Sequence, residues 1–229
     1  MKLMASSICL VLALQAAVAS EAHAQANATP EEVSVWDSSW DAYQALVAIP
    51  PADRGYATAS QDLSIVINGD LDDVFDIYAN ALNAQGLHPF LTTISFVRHT
   101  RTSLDFIAYE NIPLPDGSVF PGVTIAQQRF DRRHHRYDTD TYDAPGIVTH
   151  QHVTFTKIGP HQTMVTEHLS FEAPPDFIEL TAQGGVFAHQ LVQLGLKQQI
   201  EAGVLRPVRF PRWLPRAAHG HEPDTCEGD

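Results

Sequence analysis

Cysteine and positive charge are both scarce in this chain of 229 residues. The two cysteines, Cys9 and Cys226, stand near opposite ends, and Cys9 falls within a segment that we expect to be removed. A single remaining thiol excludes a disulfide within the chain, so stability must come from a packed core. The chain has 14 Lys and Arg against 27 Asp and Glu, a formal net charge of −13. This balance argues against nucleic-acid binding, which needs a cationic surface, and against attachment to an anionic membrane by charge.

The motifs of several common enzyme classes are also absent. The sequence has no Gly-x-Ser-x-Gly nucleophile elbow, no phosphate-binding loop, no Cys-x-x-Cys pair and no dinucleotide-binding glycine fingerprint. Hydrolase, nucleotide-dependent and redox activities therefore have no support from sequence motifs, and we expect no cofactor.

Residues 1–24 have the features of a secretory signal peptide. Lys2 supplies a basic start, and Ile8 to Val18 form an apolar run of the length typical of a signal-peptide core. Small residues then allow cleavage after Ala24 or after Ala26. The run is shorter than the roughly 20 residues that a membrane-spanning helix needs, so a retained anchor is disfavoured. We expect an exported protein, periplasmic or secreted, without a stable membrane anchor after cleavage.

Residues 25–60 are expected to form a helical leader. Pro30 followed by two acidic residues is typical of a helix start. Four apolar side chains then recur at spacings of four, three and four residues, on one helical face: Trp36, Trp40, Tyr43 and Val47. Docking of this stripe on the chain's own domain is favoured over binding of a cofactor, because buried aromatic rings are strongly stabilising.

The main domain is expected to span residues 61–203. Leu63, Ile65 and Ile67 recur at every second position and predict a first strand, and a helix is predicted from Asp70 to Gly86. Six further strands are predicted at 91–98, 103–112, 121–130, 133–142, 147–158 and 161–171. Their short connections imply an antiparallel meander.

A long helix is predicted to follow the strands, over residues 176–202. One face of it is marked by Phe177, Leu180, Gly184, Phe187, Leu191, Leu194 and Gln198. Residues 204–229 are expected to form an extended or disordered tail, since this segment is rich in proline, histidine and acidic residues.

This order of elements resembles the SRPBCC superfamily, the START-like or polyketide cyclase-like helix-grip fold. The residues that carry the resemblance are the first strand, 62–67, which runs directly into a helix at 71–78, and the final helix from Pro175. The resemblance implies an α+β fold in which a seven-stranded curved antiparallel sheet wraps around a long C-terminal helix. It also implies a large cavity between the sheet and that helix.

The expected cavity gives a set of candidate ligand-binding residues: Tyr109, Phe155, Met164, Gly184, Phe187 and Leu191. Phe155 and Met164 are assigned to the core face of their strands, and Gly184 with Gly185 would widen the interior by leaving out two side chains. Tyr109, with Glu110 beside it, could orient a polar group of a ligand, although an interfacial tyrosine with its hydroxyl in water is more common.

His150 and His152 form the strongest candidate for chemistry. Alternate residues of a strand point the same way, so the two imidazoles share a face. A two-residue Gly159-Pro160 hairpin loop would place Glu167 opposite His152. Two imidazoles and a carboxylate could hold a metal or act as an acid–base group. A solvated polar face is favoured, so no metal is expected and this trio is the weaker alternative.

Residues 132–136 form a basic cluster in an otherwise acidic protein: Arg132, Arg133, His134, His135 and Arg136. The cluster could steer an anionic head group of a ligand. A charged strand edge that prevents aggregation is the favoured interpretation.

Three functions remain open at this point. The first is an exported protein that binds a hydrophobic small molecule, such as a lipid, sterol or polyketide-like compound, between sheet and last helix. The second is an enzyme of the polyketide cyclase or dehydratase type that uses His and Tyr or Glu groups of the cavity. The third is a non-catalytic interaction module with a filled core. Fold alone does not decide among them.

Overall fold

The computed structural model describes residues 26–114, 116–143 and 146–209. The predicted signal peptide, both cysteines and the predicted tail from residue 210 onward lie outside these residues. Within the described ranges, no helix is both long enough and apolar enough to cross a membrane.

One sheet forms the body of the protein. Its strands are β1 (Ala26–Asn27), β2 (Ala57–Asn68), β3 (Leu91–His99), β4 (Ser103–Pro113), β5 (Val119–Asp131), β6 (Arg136–Asp143), β7 (Ile147–Gly159) and β8 (Gln162–Ala173). They lie in the order β1-β3-β4-β5-β6-β7-β8-β2. All neighbours are antiparallel except the two-residue β1, which runs parallel to β3. The predicted seven-stranded antiparallel sheet is thus confirmed.

Three α-helices pack on this sheet, namely α1 (Pro30–Val47), α2 (Leu71–Tyr78) and α3 (Ile178–Glu201). The prediction of a helix from Asp70 to Gly86 is wrong in its second half, because α2 ends at Tyr78. A separate 3-10 turn, Ala81–Ala84, follows, and the Asn80 side chain caps it by accepting a hydrogen bond from the Leu82 N–H.

The helix α1 covers the outer face of the sheet. Thr29 and Glu32 form a capping box at its start. Trp36, Trp40 and Tyr43 stack on one another and are buried against residues of β4, β5 and β7. The indole N–H of Trp36 donates to the carbonyl of Ala126, at 3.3 Å. The aromatic stripe of the leader therefore docks on the chain's own sheet.

The helices α2 and α3 pack on the inner face of the sheet. Alternation along each strand sends every second side chain inward, and Val153, Phe155 and Val165 form a common core with Phe75 of α2 and Leu196 of α3. The long terminal helix against a curved sheet is the expected helix-grip architecture.

The face of α3 that the sequence assigned to the core is the exposed one. Phe177, Leu180, Phe187 and Leu194 are each between 46% and 51% exposed. The buried residues of α3 are Ala188, Gln193 and Leu196. The helix carries apolar residues on both faces. The inward face combines apolar residues such as Val186, Val192 and Leu196 with the small Gly185 and Ala188 and the polar Gln193.

Gly185 is the point of closest approach between α3 and the sheet. A Cβ added there would lie 2.6 Å from Cε1 of Phe171, a fully buried ring, whereas a Cβ added at Gly184 would meet nothing within 4 Å. The expectation that Gly184 widens the interior is therefore wrong, and Gly185 is the residue that leaves room, for Phe171.

The two glycines allow a paired test of this packing. We expect Gly185→Ala to lower the free energy of unfolding by about 1–3 kcal/mol, because Phe171 must shift within a packed core. Gly184→Ala should instead raise it, by up to about 1 kcal/mol, through the higher helix propensity of alanine. Urea unfolding of both variants measures the difference, and equal effects at the two positions would contradict this packing.

Candidate functional site

The register of β7 and β8 separates the three predicted metal-site residues. His152 pairs with His168, and Glu167 pairs with Val153. The hairpin loop is Pro160-His161 and not Gly159-Pro160, and a bulge between Lys157 and Gly159 leaves the two strands one residue from the expected alignment. A shift of one residue turns every side chain to the opposite face. Glu167 therefore points into the inner face while His152 lies on the outer face, and the proposed trio with Glu167 is wrong.

The two histidines of β7 have carboxylate partners on β6. Nδ1 of His150 lies 2.6 Å from Oδ1 of Asp140, and Nδ1 of His152 lies 2.5 Å from Oδ1 of Asp138. The pKa of His150 is raised, mainly by its hydrogen bond to Asp140. Among the described residues, no three His, Cys, Asp or Glu side chains are grouped so that they could hold a metal ion.

Tyr109 and Met164 also lie on the outer face, contrary to their predicted place in the cavity. The Tyr109 hydroxyl donates to Oε1 of Glu32 on α1, at 2.6 Å. Burial, followed by the Glu32 carboxylate, raises the pKa of Tyr109 to about 12. Met164 pairs with Val66 and Thr156, one position out of step with the inward residues of β8.

The remaining predicted ligand residues divide between interior and surface. Phe155 lies in the interior, edge-on to Phe75 and Tyr78. Gly184 faces open space and Phe187 is half exposed, so neither lines the interior. Leu191 is partly buried.

An ion pair between Glu167 and His189 lies in the interior, between β8 and α3. Nδ1 of His189 is 2.5 Å from Oε1 of Glu167, whose side chain is 4% exposed. The side-chain amides of Gln193 and Gln151 donate to the same carboxylate, at 2.8 and 2.5 Å. Burial opposes charge on both partners, but their attraction and these hydrogen bonds outweigh it. The pKa of Glu167 is lowered and that of His189 is raised.

His88 stands next to this pair and is neutral. Burial, and then the charge of His189, lowers the pKa of His88 to about 4. Its Nδ1 accepts the backbone N–H of Leu91, at 3.1 Å, so its proton is on Nε2. The 3.8 Å approach of this Nδ1 to Oε1 of Glu110 is therefore not an ion pair.

Two further carboxyls, Glu110 and Asp143, extend the polar interior toward β6. The Thr124 hydroxyl donates to Glu110 at 3.2 Å, yet burial still raises the pKa of Glu110. Burial also raises the pKa of Asp143, to about 7. Its Oδ1 is buried and has no hydrogen-bond partner among the described residues. The inner face thus holds acids and bases whose pKa values are shifted in different directions, a pattern that is common at catalytic sites.

Sequence reasoning missed this interior cluster. Its members are spread over the chain, at His88, Glu110, Asp143, Glu167 and His189, and no motif spacing joins them. One signal in the sequence is Glu167, a charged residue among the inward-facing residues of β8. The other inward-facing residues of this strand are Thr163, Val165, Leu169 and Phe171.

A cavity of about 540 Å³ opens beside α2, at the edge of the inner face. Phe130 of β5, with the buried side chains of Phe75 in α2 and of Ala79 just after it, forms its apolar floor, and Arg101, Thr102 and residues 131–133 complete its lining. The resemblance implied a cavity between the sheet and α3, and this one lies instead between α2, the β3–β4 turn and the end of β5.

Most of the basic cluster lies between β5 and β6, where Arg132 and Arg133 reach the mouth of this cavity. Residues Arg132–His134 form a 3-10 turn, and β6 begins only at Arg136 because His135 adopts a left-handed conformation, with φ +47°. The guanidinium of Arg132 lies 5.2 Å from the ring centroid of Phe75 and forms an ion pair with the buried carboxylate of Asp76. The strand-edge interpretation of the cluster is therefore wrong: β6 lies inside the sheet, and Arg132 and Arg133 line a pocket.

Comparison with solved structures places this architecture among known folds. A protein from Thermus thermophilus shares 13% identity, with a TM-score of 0.51 over 64% of this chain and 100% of that one. The Zhui aromatase/cyclase from a Streptomyces species shares 9%, with a TM-score of 0.53 over 64% and 98%. A START superfamily protein from Mycobacterium smegmatis shares 11%, with a TM-score of 0.50 over 62% and 97%.

These similarities confirm the helix-grip fold. At such identities they establish the fold alone. No family model and no curated protein matches the sequence.

Proposed function

We propose that this helix-grip protein binds a hydrophobic small molecule in the cavity beside α2. The observation that carries the proposal is an opening of about 540 Å³ whose apolar floor is the partly exposed Phe130, above the buried side chains of Phe75 and Ala79. Small-molecule sites usually measure about 300–1,000 Å³ and combine an apolar lining with a few polar groups. The interior under α3 holds the buried side chains of Leu169 and Phe171 and the Glu167–His189 pair, and is the less suitable place for such a molecule.

Substitution at Thr102 tests this proposal without disturbing the core. Thr102 is exposed and lines the cavity, so Thr102→Trp should place an indole in its mouth. We expect the variant to weaken binding of a neutral apolar fluorescent probe, such as 1-aminoanthracene, by about tenfold or more, since the probe and the indole compete for the same apolar surface.

The matched control is Thr58→Trp, an exposed threonine of β2 that does not line the cavity. This variant should bind the probe as the unsubstituted protein does, with titration of probe fluorescence as the measurement. Equal binding by both variants would place the probe elsewhere and contradict the proposal.

We also propose that the protein is exported and that cleavage follows Ala24. The signal-like features of residues 1–24 support export, and β1 supports this cleavage site. Ala26 and Asn27 pair with Ser95 and Phe96, so cleavage after Ala26 would remove half of that strand. The intact mass of the protein recovered from the cell envelope tests both points: a chain that begins at Gln25 is expected, and an uncleaved chain would contradict export.

The interior cluster supports a second candidate function, acid–base catalysis. Burial lowers the pKa of His88, while the pKa values of the neighbouring His189 and Glu110 are raised, and such opposite shifts are found at catalytic sites. One structure of similar fold is that of an aromatase/cyclase. This candidate requires a substrate that is converted, so mass analysis of a bound molecule before and after incubation distinguishes it from simple binding.

A further inference from the structure

We infer that the cavity beside α2 takes an amphipathic anion, a molecule with an apolar body and one carboxylate or phosphate head group. Arg101 and Arg133 would hold the head group at the mouth while the body lies on the apolar floor. This inference rests on the proposed function and adds the class of ligand to it.

The carboxylates at this site are already neutralised by other groups. Asp76, 3% exposed, pairs with Arg132, and Nε of Arg209 lies 3.8 Å from its second oxygen. Asp131 accepts hydrogen bonds from His134 and Arg136, and its pKa is lowered, mainly by the hydrogen bond to His134. Neither carboxylate is therefore left over to pair with a further cation.

Arg101 and Arg133 are the cations that remain. Both are exposed and line the cavity, from the β3–β4 turn and from the 3-10 turn after β5. Neither has a carboxylate within ion-pair distance among the described residues. Two unpaired guanidinium groups at one opening form a local positive field in a chain of net charge −13.

The chemistry of the two sides of the cavity specifies an amphipathic ligand. A guanidinium presents a planar set of donors that matches carboxylate and phosphate oxygens. The floor, where Phe130 lies above the buried ring of Phe75, offers no polar side-chain atom to a head group, but Phe130 can pack against an alkyl or ring system. A small free anion would make no contact with the apolar floor, and a neutral apolar molecule would form no ion pair with either arginine.

Calorimetric titration with four probes tests the inference: dodecanoate, dodecyl phosphate, dodecan-1-ol and inorganic phosphate. We expect both amphipathic anions to bind about tenfold more tightly than dodecan-1-ol, and inorganic phosphate to bind far more weakly than either. Because the arginines are exposed, higher salt should weaken the binding of the anions and leave that of the alcohol unchanged.

Single charge removals locate the head group. Arg101→Gln and Arg133→Gln should each weaken dodecanoate binding by about threefold to tenfold and leave dodecan-1-ol within about twofold. Lys157→Gln, which removes one charge from an exposed position of β7 outside the cavity, should change neither.

Three results would overturn the inference, and each has a different meaning. Equal affinity for dodecanoate and dodecan-1-ol, with no effect of either arginine, would leave an apolar site and remove the anion specificity. Inorganic phosphate that binds as tightly as dodecyl phosphate would show a simple anion site. Failure of all four probes to bind would also overturn the proposed function.

Discussion

Replacing His189 with leucine is expected to lower the free energy of unfolding by about 3–5 kcal/mol near neutral pH. The cause is Glu167, which stays buried at 3% exposure after it loses its cationic partner. The hydrogen bonds from Gln151 and Gln193 remain, but they do not supply a compensating charge. Chemical denaturation of the variant and of the unsubstituted protein measures this loss.

Two controls show whether the loss comes from an unpaired buried charge. Glu167→Gln combined with His189→Leu removes both charges and should recover a large part of the stability. His152→Leu breaks the outer-face pair with Asp138, in which both side chains are more than 40% exposed, and should cost less than about 1 kcal/mol. Losses of similar size in His152→Leu and His189→Leu would contradict the buried position of the Glu167–His189 pair.

The same pair predicts how stability depends on pH. The raised pKa of His189 contributes stability that is present below its ordinary value of 6.5 and is lost as pH rises through the folded-state value. The lowered pKa of Glu167 contributes stability that is present above 4.5 and is lost as pH falls through its folded-state value. The difference between the protein and His189→Leu should therefore be largest between pH 4.5 and 6.5 and smaller on either side.

Trp36→Ala should destabilise the protein by about 3–5 kcal/mol. The indole is 2% exposed, it stacks on Trp40 at 5.0 Å between ring centroids, and the guanidinium of Arg98 covers its other side at 4.4 Å. Its removal opens a cavity between α1 and the sheet and leaves the carbonyl of Ala126 without its donor. Thermal or urea unfolding measures the effect.

Phe187→Ala is the matched aromatic substitution on α3. The ring is 51% exposed, so the loss should be at most about 1 kcal/mol. A loss of 3–5 kcal/mol here would mean that the apolar face of α3 is covered, as the sequence pattern alone suggested. A small effect of Trp36→Ala would mean that α1 does not dock as described.

The sequence was sufficient for the order and type of the elements. Alternation in the strands and turn residues between them predicted all seven antiparallel strands to within a few residues, and Pro30 and Pro175 fall at or just before the starts of the two long helices. These signals are local, so the secondary-structure elements can be predicted from them without knowledge of the tertiary structure.

The strand register, and the face on which each side chain lies, could not be predicted with the same success, because both depend on contacts between residues distant in sequence. A one-residue bulge near Gly159 determines which face of the sheet the Glu167 side chain lies on, and no local sequence pattern predicts this bulge. The helix α3 has two apolar faces, and its sequence does not show which of them is buried. The buried face is the one on which Gly185 packs against Phe171 and His189 pairs with Glu167. The basic residues 132–136 were recognised, but only the α2 packing shows that they border a cavity.

Native mass spectrometry of the protein recovered from the cells that produce it, before and after addition of dodecanoate, tests the central claim most directly. Extraction with organic solvent then identifies any molecule that was bound. We predict one hydrophobic anion per chain, as isolated or after addition, and its loss in Thr102→Trp but not in Thr58→Trp. The mass of the bare chain in both samples, or an adduct that Thr102→Trp retains in full, would contradict a small-molecule site beside α2.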